Sequence, residues 1–183
     1  MIGKRILLID DDTIIREVIS ETLTDMNYAV TAEESAATAI RIFAGSPEEF
    51  DLVLTDFMMP EMTGDTLSER IHFLRPDIPV VLITGVPEKV TQERVAAAGI
   101  CKVLCKGIAK TELYEALQEV LQQSQRSRRY RDDANQSRRD VSPQRSWSFI
   151  ATASSFSIRG FRMTRPRRAA SIPSGECSSR YPV

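Results

Sequence analysis

Five short apolar runs alternating with five helix-periodic segments predict an α/β fold, a doubly wound parallel sheet covered on both faces. The runs are rich in Leu, Ile and Val without polar alternation, the pattern of strands buried on both sides. Two of them end directly on acids, at Asp10-Asp11-Asp12 and at Asp56. Open α/β sheets keep their sites at the carboxyl ends of the strands, so these acids mark a candidate site.

The first strand is 5–9, Arg5-Ile6-Leu7-Leu8-Ile9. A helix is expected over 13–26, because Ile14, Ile15, Val18, Ile19, Leu23 and Met26 recur at helical spacing. Asp12 suits its N-cap. A strand follows over 28–32, then a helix over 35–44 stopped by Gly45-Ser46-Pro47. The third strand is 51–55 and the third helix 63–74, ended by Arg75-Pro76. The fourth strand is 79–83, and a helix over 88–98 closes on Gly99. The fifth strand, 102–105, leads to a last helix over 110–123.

Right-handed crossovers bring the carboxyl ends of the first, third, fourth and fifth strands to one edge. Asp10, Asp11, Asp56, Thr84 and Lys106 are expected to meet there.

Charge divides the chain in two. Residues 1–123 carry 11 Lys and Arg against 21 Asp and Glu, whereas 124–183 carry 13 Arg, no Lys and four acids. The near-neutral total of −1 therefore joins an acidic domain to a basic tail. The tail is rich in Ser and Arg and has no sustained apolar period, so it is expected to be disordered. No apolar run is long enough to span a membrane, and the start shows no signal-peptide pattern. Cys101 and Cys105 read as small core residues and Cys177 as an incidental thiol. A reducing cytoplasmic location is expected.

The chemistry these residue types permit is narrow. Clustered carboxylates raise one another's pKa unless a cation sits among them. Mg²⁺ takes oxygen ligands, keeps waters and bridges to phosphate. An Asp carboxylate can attack a phosphoryl group and form an aspartyl phosphate. The Lys106 ammonium would then offset charge on the transferring oxygens, and the Thr84 hydroxyl would hydrogen-bond one of them.

The stretch 4–122 resembles the receiver domain of two-component response regulators. The resemblance is carried by Ile6-Leu7-Leu8-Ile9-Asp10-Asp11-Asp12 with Arg16, by Asp56-Phe57-Met58-Met59-Pro60-Glu61-Met62-Thr63-Gly64, by Val80-Val81-Leu82-Ile83-Thr84-Gly85, and by Lys106. It implies a flavodoxin-like (βα)5 fold with strand order 2-1-3-4-5. It further implies Asp56 as phosphoacceptor, and Mg²⁺ held by Asp10, Asp11, Asp56 and the main-chain carbonyl of Met58. Thr84 becomes the switch hydroxyl and Lys106 the phosphate-contacting lysine. Gly85 leaves space for the phosphoryl group, and Pro60 and Gly64 shape the loop after the third strand.

The implied partners are a histidine kinase or phosphotransfer protein as donor, and an output protein on the face of the fourth helix, fifth strand and fifth helix. The domain would catalyse only its own phosphorylation and dephosphorylation. It would not act as an enzyme on other substrates, and neither a membrane nor nucleic acid is an expected partner.

Departures from the family pattern carry expectations too. The family usually has Pro after the lysine, where this chain has Gly107. A cis Lys–Gly bond would cost about 2.5–4 kcal/mol, so a trans bond is expected. The usual aromatic switch position on the fifth strand is Val103. The positions that line the approach of hydrolytic water in the family are Met58 and Val86 here, both apolar.

Other residues have plainer readings. Asp12 is expected to cap a helix, Arg16 to be a solvated helix residue, and His72 to sit at the surface or in packing. Two alternatives compete. A haloacid-dehalogenase-like phosphatase would use Asp10 as nucleophile, but the match is loose and Asp56 is then unexplained. A DNA-binding regulator would use the basic tail, which shows neither helix-turn-helix periodicity nor zinc-ligand spacing. Its Arg-only, Ser-rich composition also fits an unselected, frame-shifted extension.

Overall fold

The computed structural model describes residues 3–139. Strands β1 (Arg5–Ile9), β2 (Ala29–Glu33), β3 (Leu52–Asp56), β4 (Val80–Thr84) and β5 (Lys102–Cys105) alternate with helices. The helices are α1 (Thr13–Asp25), α2 (Ala36–Gly45), α3 (Gly64–Leu74), α4 (Gln92–Ala97) and α5 (Lys110–Arg139). The sheet is wholly parallel, in the order β2-β1-β3-β4-β5. The expected fold class and strand order are those observed.

The pleat divides the core. Ile6 and Leu8 of β1 face one side, with Leu23 of α1 and Leu117 of α5. Leu7 and Ile9 face the other, with Phe43 of α2 and Leu67 of α3. Phe57 and Leu82 form a smaller cluster with Ala98 and Ile100, beside α4. β3 and β4 are buried at every position, which is why they read as unbroken apolar runs.

Local chemistry sets the helix ends. Asp12 Oδ1 accepts from the N–H groups of Ile14 and Ile15 at 2.9 and 3.1 Å, the expected cap. Ser35 caps α2 by accepting from Thr38 N–H at 3.2 Å.

The fourth helical segment differs from the single helix expected over 88–98. A 3₁₀ turn, Pro87–Lys89, comes first, then Val90 is extended, and Thr91 caps a short α4. The Thr91 hydroxyl accepts from Arg94 N–H, and that local bond competes with continuing the helix backward.

The last helix also differs. Expected over 110–123, it continues through Arg139. Residues 122–130 include none that is buried, so no apolar face holds this extension. It contains neither Gly nor Pro over 110–139. Ser124 Oγ donates to Asp77 O at 3.5 Å, and Arg128 Nε lies 2.7 Å from Asp77 Oδ2. These ties anchor the extension to the loop before β4. The described residues up to Gln136 belong to one compact unit. The tail reading for 140–183, Cys177 included, lies outside the described residues. Cys101 is exposed rather than a core residue. Among the described residues, no helix is long and apolar enough to cross a membrane.

Candidate functional site

Strand register assembles the site. Ile9 pairs with Thr55, which places Asp10 beside Asp56. Asp56 pairs with Ile83, and Thr84 with Cys105, so Thr84 and Lys106 emerge at the same carboxyl edge. Four strand ends thus deliver Asp10, Asp56, Thr84 and Lys106 to one place.

Lys106 Nζ lies 2.9 Å from Asp10 Oδ2 and 3.2 Å from Asp56 Oδ1. Asp10 and Thr84 are fully buried and Asp56 nearly so, while Asp11 is exposed. Asp10 Oδ1 accepts from Asp12 N–H at 3.0 Å, and Asp56 Oδ2 from Met58 N–H at 3.2 Å. Thr84 Oγ1 accepts from Val86 N–H at 3.0 Å, while Thr84 O accepts from Lys106 N–H at 2.7 Å. Met58 is exposed at the mouth of the site. A Cβ at Gly85 would meet nothing within 4 Å, so open space adjoins Thr84.

The electrostatics follow from burial. Desolvation pushes the Asp56 carboxyl above the usual carboxylate value, Lys106 opposes this, and Asp10 adds to the rise. Burial works against the Lys106 ammonium, but its bonds and charge contacts with Asp10 and Asp56 outweigh it and hold its pKa up. One ammonium shared by two buried acids leaves the acids undercompensated.

This arrangement fits a hard divalent cation. Asp10, Asp11 and Asp56 each offer a carboxylate oxygen, and the three oxygens lie within 4.8 Å of one another. Asp10 Oδ2 is buried, and the Lys106 ammonium that approaches it at 2.9 Å is shared with Asp56 at 3.2 Å. An all-oxygen set in which two buried carboxylates share one ammonium matches the ligand preference of Mg²⁺.

Sequence reasoning missed Arg16. Rather than being solvated, it is half-buried, and its guanidinium donates to Asp10 O at 2.7 Å. It braces the backbone of the acid loop from the first turn of α1. No apolar pattern marks such a contact, since it depends on how α1 docks. His72 is a packing residue: Nδ1 lies 3.0 Å from Ala98 O and Nε2 2.9 Å from Ile78 O.

The Lys106–Gly107 bond is trans, as expected, and Gly107 has φ of +87°. Val103 is partly buried against the cluster that holds Phe57.

Fold and site together define a receiver-type α/β scaffold with an acidic cluster at the carboxyl edge of its sheet. The family model described as response regulator receiver domain matches residues 6–118, and the chain belongs to that family, part of two-component systems. It is 31% identical over 138 residues to the two-component response regulator ORR24 of Oryza sativa subsp. indica, covering 74% of this chain and 22% of that protein. It is 33% identical over 122 residues to the transcriptional regulatory protein GlrR of Escherichia coli K12, covering 65% of this chain and 26% of the relative. The chain thus spans about a quarter of the length of these curated relatives.

Among solved structures, a CheY-like receiver domain protein from Methanospirillum hungatei JF-1 matches with a TM-score of 0.61 and 29% identity, over 68% of this chain and 98% of that one. The receiver domain of sensor histidine kinase PA1611 from Pseudomonas aeruginosa PAO1 matches with a TM-score of 0.59 and 25% identity, over 65% and 98%. In that structure a magnesium ion is coordinated in the active-site cleft.

Proposed function

We propose that this chain is a phosphorylation-dependent receiver that takes a phosphoryl group onto Asp56. The observation that carries the reading is the Lys106 ammonium set between Asp10 and Asp56, with a third acid in reach. A carboxylate oxygen of Asp56 attacks phosphorus while the bond to the leaving group breaks. The leaving group is the imidazole of a donor phosphohistidine, or the carboxylate of an acyl phosphate. Lys106 offsets charge on the transferring oxygens, and the Thr84 hydroxyl turns from Val86 to donate to one of them. Asp10, Asp11, Asp56 and the Met58 carbonyl would hold Mg²⁺, which supplies charge neutralisation at the phosphoryl group. The ionised carboxylate is itself the nucleophile, so no general base is required.

The domain is its own substrate and turns over no other. Its partners are a histidine kinase or phosphotransfer protein as donor, and an output protein on the α4–β5–α5 face. Donors of this kind and free Mg²⁺ argue for a cytoplasmic setting. Full burial of Asp10 beneath Lys106 argues against its use as a phosphatase nucleophile.

Intact mass spectrometry after incubation with acetyl phosphate tests the reading. One phosphoryl adduct is expected with Mg²⁺, none without it, and none in Asp56→Asn. Undiminished labelling of Asp56→Asn, or labelling that maps to Asp10, would overturn it.

A further inference from the structure

α4 is only six residues long and buries no residue of its own. Half-buried Val95 and the flanking Val90 pack against the Phe57 cluster, and polar ties from one stripe of α3 complete its seat. Asp65, Ser68 and His72 follow helical spacing and face α4. Asp65 Oδ2 accepts from Arg94 Nε at 2.6 Å. At the other end of α4, Ser68 Oγ donates to Ala98 O at 2.8 Å, and His72 Nδ1 lies 3.0 Å from the same oxygen. A seam held by hydrogen bonds and little apolar area can shift without opening a large cavity.

Arg94 has a second contact. Its guanidinium carbon lies 4.8 Å from the centroid of the Phe57 ring. Phe57 directly follows Asp56, is almost fully buried, and belongs to the cluster beside α4. Phe57 N–H donates to Ile83 O at 3.1 Å and Phe57 O accepts from Gly64 N–H at 3.0 Å, so its backbone moves with the acid loop and with the start of α3. A charged group on an aromatic face is an attractive, orientation-dependent contact. β5 has Val103 where an aromatic could have served this purpose.

We propose that Arg94 is a positioning residue that couples Asp56 to α4, through the face of Phe57 and the carboxylate of Asp65. The inference rests on Asp56 accepting a phosphoryl group. A displacement at Asp56 changes the Phe57 ring, the ring changes the seat of the guanidinium, and α4 follows through Arg94, which ties it to Asp65 of α3. Binding energy at the site thereby shifts α4 between two seats.

The full chain with Mg²⁺ supplies the test, read by amide exchange over residues 92–98 with and without beryllofluoride. In Arg94→Ala, exchange without beryllofluoride should already rise about tenfold, equivalent to about 1.4 kcal/mol, and beryllofluoride should change it little further. Its Asp56 adduct with acetyl phosphate should still form. Asp65→Asn should behave alike. Arg94→Lys keeps the charge but not the flat stacking group, and should recover part of the response. A response in Arg94→Ala as large as in the unaltered chain overturns the proposal and leaves the receiver reading standing. So does an adduct on the unaltered chain with no response in α4. Failure of the unaltered chain to form any adduct overturns both. Should Arg94→Ala lose its fold by circular dichroism, Arg94→Lys and Asp65→Asn make the same comparison.

Discussion

Lys106 Nζ lies 2.9 Å from Asp10 Oδ2, nearer to that acid than to Asp56. The ammonium thus stands against a carboxylate that would also serve a metal ion. Lysine and cation compete for Asp10, and binding of one must move or share the other.

Mg²⁺ should stabilise the domain by mass action, by about 2.7 kcal/mol at a hundredfold excess over Kd. Asp11→Ala removes one hard-ion ligand and should weaken the affinity. Lys106→Met removes the competing charge and should strengthen it. Thermal melts against Mg²⁺ concentration read all three, and unchanged affinity in Asp11→Ala would contradict the ligand assignment.

The Asp56 carboxyl titrates above its ordinary value, chiefly because it is desolvated. For an acid, a pKa raised by folding means that the charged form costs stability. The cost is absent below the unfolded value near 3.8 and complete above the folded one. Asp56→Asn should therefore be more stable than the unaltered chain at pH 7, and its advantage should fade as pH falls toward 3.8. Urea midpoints across that range measure it; a constant difference would point to packing instead.

Gly64 is required by close approach. A Cβ there would fall 2.2 Å from Asp56 O and 3.2 Å from Leu82 Cδ1. Gly64→Ala must push the acid loop away from the start of α3. A loss of about 1–3 kcal/mol in chemical denaturation is expected, with slower adduct formation at Asp56.

Gly107 has φ of +87°, a region closed to proline, whose ring holds φ near −65°. Gly107→Pro, which restores the residue usual in the family, should displace Lys106 here rather than improve its reach. The expected readout is a lower rate of phosphorylation by acetyl phosphate. A faster rate would show that the loop re-forms around the proline.

The phosphoryl group on Asp56 should be long-lived. Met58 is exposed at the mouth and Val86 is half-buried, and neither carries a group to orient an attacking water. Replacing them together, Met58→Asn with Val86→Glu, should speed loss of the adduct followed by mass. Equal or slower decay would shift attention to the Lys106-Gly107 loop.

The site was legible in the sequence because each of its parts is a local pattern. An apolar strand that stops on an acid, a threonine or a lysine places that side chain at the carboxyl edge. The handedness of parallel crossovers then gathers those edges. What stayed illegible depends on partners distant in the chain. Arg16 reads as a solvated helix residue until α1 docks and brings it to Asp10 O.

The alternation of strands and helices, the buried faces, and the meeting of the acids, Thr84 and Lys106 at one edge all follow from local pattern in the chain. Periodicity and strand-end chemistry are short-range, and each survives whatever else the chain does. Packing between distant elements carries α5 on past Leu121, where apolar period ends and Asp77 receives Ser124 and Arg128. It alone decided the polar seam that seats a short α4 against α3 through Asp65, Ser68 and His72. Polar contacts of this kind leave no hydrophobic period to read, because their energy comes from geometry between elements and not from the amount of apolar surface that each one buries.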